Sequence, residues 1–139
     1  MWSKSHSVVT KEITREQIWK LFADVNNWPA WDKGVEFARL DGKFEKGNHF
    51  KFQPKGGPKL NIGIVEAEEN KGFTDFTKFP LAKMYGEHIF EETPEGLKLT
   101  TTMKVQGVLG FLWRKLVAQK IVDALPAEME HQIKVAKEL

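Results

Sequence analysis

Thr14 to Trp31 reads TREQIWKLFADVNNWPAW, and this stretch decides how the rest of the chain is read. Thr14 is a good helix N-cap, and Gln17 follows three residues later. That is capping-box spacing, in which each side chain satisfies a backbone N–H left free by the first helical turn. Ile18, Trp19 and Phe22 then share one face at i, i+1 and i+4. The spacing predicts a helix over Thr14–Ala23. Asn26 or Asn27 can break and restart it, and Pro29 suits the opening turn of a new helix. A second, short helix is therefore expected over Asn27–Asp32, closed by Gly34 in the left-handed C-terminal position.

Working outward, both flanks read as strands. Ser3–Glu12, with β-branched Val8, Val9 and Thr10, is the first. After the helices come Val35–Leu40, a two-residue turn at Asp41-Gly42, and Asn48–Gln53 with Phe50 and Phe52 on one face. Pro54–Pro58 is a glycine-containing loop. A phosphate cradle would need a helix N-terminus after it, and strand-like LNIGIVEAE follows instead. Leu60–Glu68, Phe73–Phe79 and Met84–Glu92 are further strands, separated at Asn70–Gly72 and Pro80. Leu97–Val105 alternates strictly, with Leu97, Leu99, Thr101, Met103 and Val105 facing one way. A period of two with one apolar face fits an antiparallel sheet that is wet on its other side.

Beyond Gly107–Gly110 the period becomes helical. Leu109, Trp113, Val117, Ile121, Leu125, Met129 and Ile133 step every four residues, an apolar stripe of about seven turns. Pro126 lies within it and predicts a kink near Val122. A strand, two short helices, a run of strands and a long helix describe a curved sheet gripping a helix, a shape able to enclose an apolar pocket.

Composition narrows the function. The chain has 139 residues, enough for one domain over 1–139. It has no cysteine, which excludes a disulfide framework, a cysteine zinc site and a cysteine nucleophile. Lys and Arg number 21 against 19 Asp and Glu, a dispersed net charge of +2 that argues against nucleic acid. No apolar run approaches a membrane span of about 18 residues or a signal-peptide core. A cytoplasmic protein without cofactor, as a monomer or homodimer, is expected. Ten Phe and five Trp against one Tyr point to an apolar core or pocket wall.

The segment IWKLFADVNNWPAWDKGV, the hairpin HIFEETPEGLKLTTTMKVQG and the long terminal helix together resemble the START-like (SRPBCC) superfamily. Its closest likeness is to the small bacterial polyketide cyclase/dehydrase type. The resemblance covers Ser5 to about Ala136, and its motifs are structural rather than catalytic. It implies an α+β helix-grip fold: a seven-stranded curved antiparallel sheet around a long C-terminal helix, with two short helices between strands 1 and 2. It also implies a cavity that takes hydrophobic small molecules, in some members with cyclisation or dehydration.

His88 shares a strand face with Met84 and Phe90, where imidazole can act as an acid/base, orient a ligand, or simply be a hydrogen-bonded core residue. Glu66 falls in register with Ile62 and Ile64, and Asp75 with Phe73, Thr77 and Phe79. Either carboxylate can pair with His88, unless bulges or strand ends carry them to solvent. Thr101 offers a hydrogen bond on the last strand. Trp28 and Trp31 are candidates to cap the pocket mouth or to seal the second helix. Pocket walls are expected from Phe50, Phe52, Ile62, Ile64, Phe76 or Phe79, Met84, Phe90, Leu99, Met103, Trp113, Val117 and Ile121. The apolar stretch Val108–Leu112 reads as a mobile entrance, a membrane-touching edge, or ordinary docking onto the sheet. His6, His49 and His131 lie apart, with no metal-ligand spacing. The serines Ser3, Ser5 and Ser7 lack a nucleophile-elbow motif.

Three functions follow as expectations: binding of a lipid, polyketide or isoprenoid-like molecule; a cyclase or dehydratase using His88; or a protein-interaction module resembling the Hsp90-activator branch. A carboxylate near His88 inside a cavity would favour the enzyme. A cavity plugged by side chains would favour the interaction module.

Overall fold

The structure, a computed structural model, describes residues 1–139. Seven strands form one antiparallel sheet: β1 (Trp2–Thr10), β2 (Val35–Arg39), β3 (His49–Pro54), β4 (Leu60–Glu68), β5 (Gly72–Phe79), β6 (Ala82–Thr93) and β7 (Gly96–Gln106). Their order is β1-β7-β6-β5-β4-β3-β2, so β2 to β7 meander and the first strand closes against the last. Helices α1 (Arg15–Ala23) and α2 (Trp28–Trp31), with a 3-10 turn at Val25–Asn27 between them, join β1 to β2. After β7 come α3 (Gly110–Trp113), a π-helical turn at Arg114–Ala118, and α4 (Gln119–Ala136).

Local chemistry sets the boundaries. Thr14 Oγ1 accepts from the Gln17 N–H at 3.2 Å, and Gln17 Oε1 accepts from the Thr14 N–H at 2.8 Å, the reciprocal cap that starts α1. α1 then buries Ile18, Leu21 and Phe22. Against them lie Phe73, Phe90, Leu97 and Leu99 from the inner face of the sheet and Leu125, Met129 and Ile133 from α4. Each such side chain contributes roughly 1.5–3 kcal/mol on full burial. Val25, Val35, Phe50 and Ile64 form a second centre under α2. Phe79, Met84, Met103, Val105 and Ala118 form a third at the far end.

Several local expectations are corrected. Asp41-Gly42 does not close a two-residue hairpin, because β3 begins only at His49. The intervening loop turns Phe44 inward, edge-on to Trp19 and Phe73, and that burial favours the longer connection. Gly34 is not left-handed. α2 ends because the Asp32 carboxylate accepts the Gly34 N–H at 2.9 Å. α4 runs unbroken through Pro126, which is exposed, so the carbonyl freed by its ring can bond to water. A separate irregularity lies upstream, in the π turn at Arg114–Ala118. A strict four-residue spacing drifts about 40° per step around a straight α-helix. The wider i to i+5 turn counters that drift and keeps Val117 and Ile121 on the sheet side. No helix is long and apolar enough to cross a membrane.

Candidate functional site

Between the inner face of the sheet and the terminal helix lies a cavity of about 460 Å³. Phe50, Phe52, Ile62, Met84 and Met103 contribute from the strands, Val117 and Ile121 from the helix, and Trp28 and Trp31 from α2. Trp28 seals as well as lines. Its Nε1–H donates to the Phe22 carbonyl at 3.1 Å, and its ring meets Phe50 and Phe52 edge-on.

Four polar side chains from adjacent strands also reach this lining: Asp75 and Thr77 on β5, His88 on β6 and Thr101 on β7. Register explains the grouping, since β6 pairs Gly86 with Asp75 and His88 with Thr101. His88 Nε2 lies 3.6 Å from Asp75 Oδ2, longer than a direct hydrogen bond, and Nδ1 lies 3.3 Å from Thr101 Oγ1. Asp75 Oδ1 accepts the Gly86 N–H at 3.1 Å. Glycine at position 86 leaves room for this contact, because a Cβ there would fall 2.8 Å from that same oxygen and push the carboxylate aside. The imidazole stacks on Phe73 at 4.4 Å between centroids and tilts against Phe22 at 5.2 Å. A neutral ring with hydrogen on Nε2 would face the carboxylate and leave Nδ1 to accept from the Thr101 hydroxyl. Such an arrangement can orient a guest's carbonyl or hydroxyl, or exchange a proton with it.

A second polar group lines the cavity from α4 and the end of α2: Lys120, Glu128, Gln132 and Asp32. Burial, then hydrogen bonding to Asp32 and repulsion from its charge, push Glu128 up from 4.5 to about 7. His131 ties α4 to α2, its Nε2–H donating to the Trp31 carbonyl at 2.6 Å.

The remaining sequence candidates lie elsewhere. Glu66 is on the opposite face, exposed and 3.1 Å from Lys46. The register shifts between Ile64 and Glu66, and this bulge breaks the alternation that would have pointed Glu66 inward. Phe76 is likewise on the outer face, stacked on Tyr85 at 5.1 Å. Ile64, Phe79, Phe90 and Leu99 are buried in the core rather than in the cavity wall, and Trp113 packs flat on Phe79 at 4.5 Å. Sequence reasoning missed Phe22, Thr77, Asp32, Lys120, Glu128 and Gln132. A signal existed for three of them. Lys120, Glu128 and Gln132 each precede a member of the apolar stripe by one residue, which places them along its flank.

A sheet wrapped on a long helix with a hollow between them defines the helix-grip class, and solved structures agree. The chain matches Ara h 8.0201 at a TM-score of 0.77 and 11% identity, covering 99% of each chain. It matches the hypothetical protein jhp0584 from Helicobacter pylori at 0.76 and 12%, covering 97% of this chain and 88% of that one. It also matches the di-domain ARO/CYC StfQ of the steffimycin biosynthetic pathway at 0.72 and 15%, covering 98% of this chain and 50% of that one. A search of curated protein sequences found no match. Residues 1–133 match the family described as polyketide cyclase / dehydrase and lipid transport, and the chain belongs to it.

Proposed function

We propose that this protein binds a hydrophobic small molecule of lipid, polyketide or isoprenoid-like type in the cavity between sheet and helix. The observation that carries the reading is an apolar cavity of about 460 Å³ with the His88, Asp75 and Thr101 group among its lining residues. That combination of apolar walls and few convergent polar groups is typical of small-molecule sites. His88 orients the polar end of the guest, held in place by Phe73 and Thr101. Membership of a family that includes lipid transport supports the same reading.

Native mass spectrometry of the purified protein, followed by organic extraction, tests it. An apolar guest near one per chain is expected, and it names the class to assay for turnover. A clean apo mass, with no uptake of environment-sensitive hydrophobic dyes, overturns the reading.

A cyclase or dehydratase is the second reading, favoured by Asp75 lying 3.6 Å from His88 at the cavity. In that case His88 moves the proton and Asp75 stabilises the imidazolium. The interaction-module alternative loses support, since the cavity is not filled by its aromatic side chains.

A further inference from the structure

The end of the molecule where the β5–β6 hairpin meets the start of the terminal helix is apolar where it should be wet. Leu81, Val108, Phe111 and Leu116 are exposed by 66%, 79%, 67% and 50%. Four of the nine large exposed apolar residues are thus gathered from two distant stretches of chain. Three contacts fix those stretches together. The Leu109 N–H donates to the Leu81 carbonyl at 3.0 Å, and Trp113 Nε1–H donates to the Pro80 carbonyl at 2.9 Å. Gly107 sits so close that a Cβ would fall 2.6 Å from the Leu81 oxygen. The patch is therefore a built surface and not a loose loop.

Two features show that solubility and stability did not shape it. Leu81 holds φ at 56°, the left-handed region where Gly or Asn is cheaper than a branched apolar side chain. Strain of this kind persists where the surrounding contacts hold it in place, and it clusters at functional sites. Lys78 and Lys83 face each other across the hairpin, a like-charge pair that is unfavourable without an anion nearby. Arg114 and Lys115, on the π turn that follows Trp113, are exposed as well, and none of these four cations is in an ion pair. Neither 76–86 nor 103–122 contains an Asp or Glu, although the chain has 19.

We propose that this end docks on an anionic lipid bilayer, with Leu81, Phe111 and their apolar neighbours entering the interface and the four cations meeting the headgroups. Charge complementarity selects the occupant. A two-fold contact with a second copy would set the same cations against one another. Nucleic acid offers phosphates but no apolar layer for Val108 and Phe111. The proposal holds whatever the cavity contains. It also places the membrane beside that cavity, since Val117 and Ile121 follow on the same helix.

Flotation with vesicles made of equal parts phosphatidylcholine and phosphatidylglycerol tests the proposal, with pure phosphatidylcholine vesicles as the control. Wild type is expected to float with the anionic vesicles only, and less so in high salt. R114Q/K115Q is expected to weaken partitioning about 25-fold, at roughly fivefold per lost cation. L81N is the decisive variant, because Asn suits the positive φ and should leave the thermal midpoint unchanged or raised. Combined with F111S, it is expected to lower partitioning about tenfold or more. A folded wild type that stays with the unbound fraction overturns the proposal, as does partitioning indifferent to these substitutions. A wild-type dimer that L81N/F111S splits, without vesicle binding, assigns the patch to self-association instead.

Discussion

His88 is held from three directions: Phe73 stacks beneath it, the Thr101 hydroxyl meets Nδ1, and the Asp75 carboxylate stands off Nε2. Removing the ring by His88→Ala is expected to reduce affinity for the extracted guest about tenfold, near the value of a hydrogen bond to a buried polar group. Titration calorimetry checks this, and unchanged affinity removes the orienting role. Glu128 carries a different prediction. Its native pKa of about 7 exceeds the ordinary 4.5, so between those values the native state holds a proton that the unfolded chain has released. The stability contributed by the neutral carboxyl is fully present below 4.5 and is lost as pH rises through 7. A shift of this size corresponds to about 3 kcal/mol at full burial, reduced to about 1 kcal/mol for a half-buried side chain in contact with solvent. Glu128→Gln should flatten the fall between pH 5 and pH 8 in urea melts, and the same slope in both proteins would refute it. Side-chain parity along β5, β6 and β7 makes Asp75, His88 and Thr101 legible together from the amino-acid order alone. Glu66 is misplaced by the same parity because a bulge reverses it without changing residue types. Glu128 and Asp32 are not legible as a pair, since they meet only when α2 and α4 are brought together in space.

Elements are legible wherever one physical signal dominates. The reciprocal cap at Thr14 and Gln17, the alternation in β7 and the four-residue stripe of the terminal helix each survive in the structure. The β2–β3 connection is not, because Phe44 is half-buried through long-range packing on Trp19 and Phe73 that no local turn rule anticipates. The π turn is also hidden, as no residue type marks it. Pro126→Ala is expected to stabilise the protein by about 1 kcal/mol or more, restoring a helical N–H at an exposed position inside α4. Denaturant melts decide the matter, and a loss of stability would mean that the ring has a packing role. Gly72 gives the opposite case. Its φ is 149°, and a Cβ would fall 2.2 Å from the His88 carbonyl oxygen. Gly72→Ala should therefore cost roughly 2–4 kcal/mol and loosen the β5–β6 register that places His88. Melting within about 0.5 kcal/mol of wild type would contradict it.

At the scale of the whole molecule, the pairing of β1 with β7 has a consequence in time. Trp2 lies opposite Val105 and Thr10 opposite Leu97, so the first strand made has no partner until the last strand has been synthesised. At ribosomal rates of about 5–20 residues per second, β1 waits for several seconds at least. During that interval α1 lacks Leu125, Met129 and Ile133, because α4 is translated later still. The nascent chain therefore carries an unpaired strand and an uncovered aromatic face past the point where most of the sheet has emerged. Protection from protease should appear abruptly, only when α4 has cleared the exit tunnel, rather than strand by strand. The sheet and α1 therefore wait on α4, which follows them in the chain, to complete their shared core.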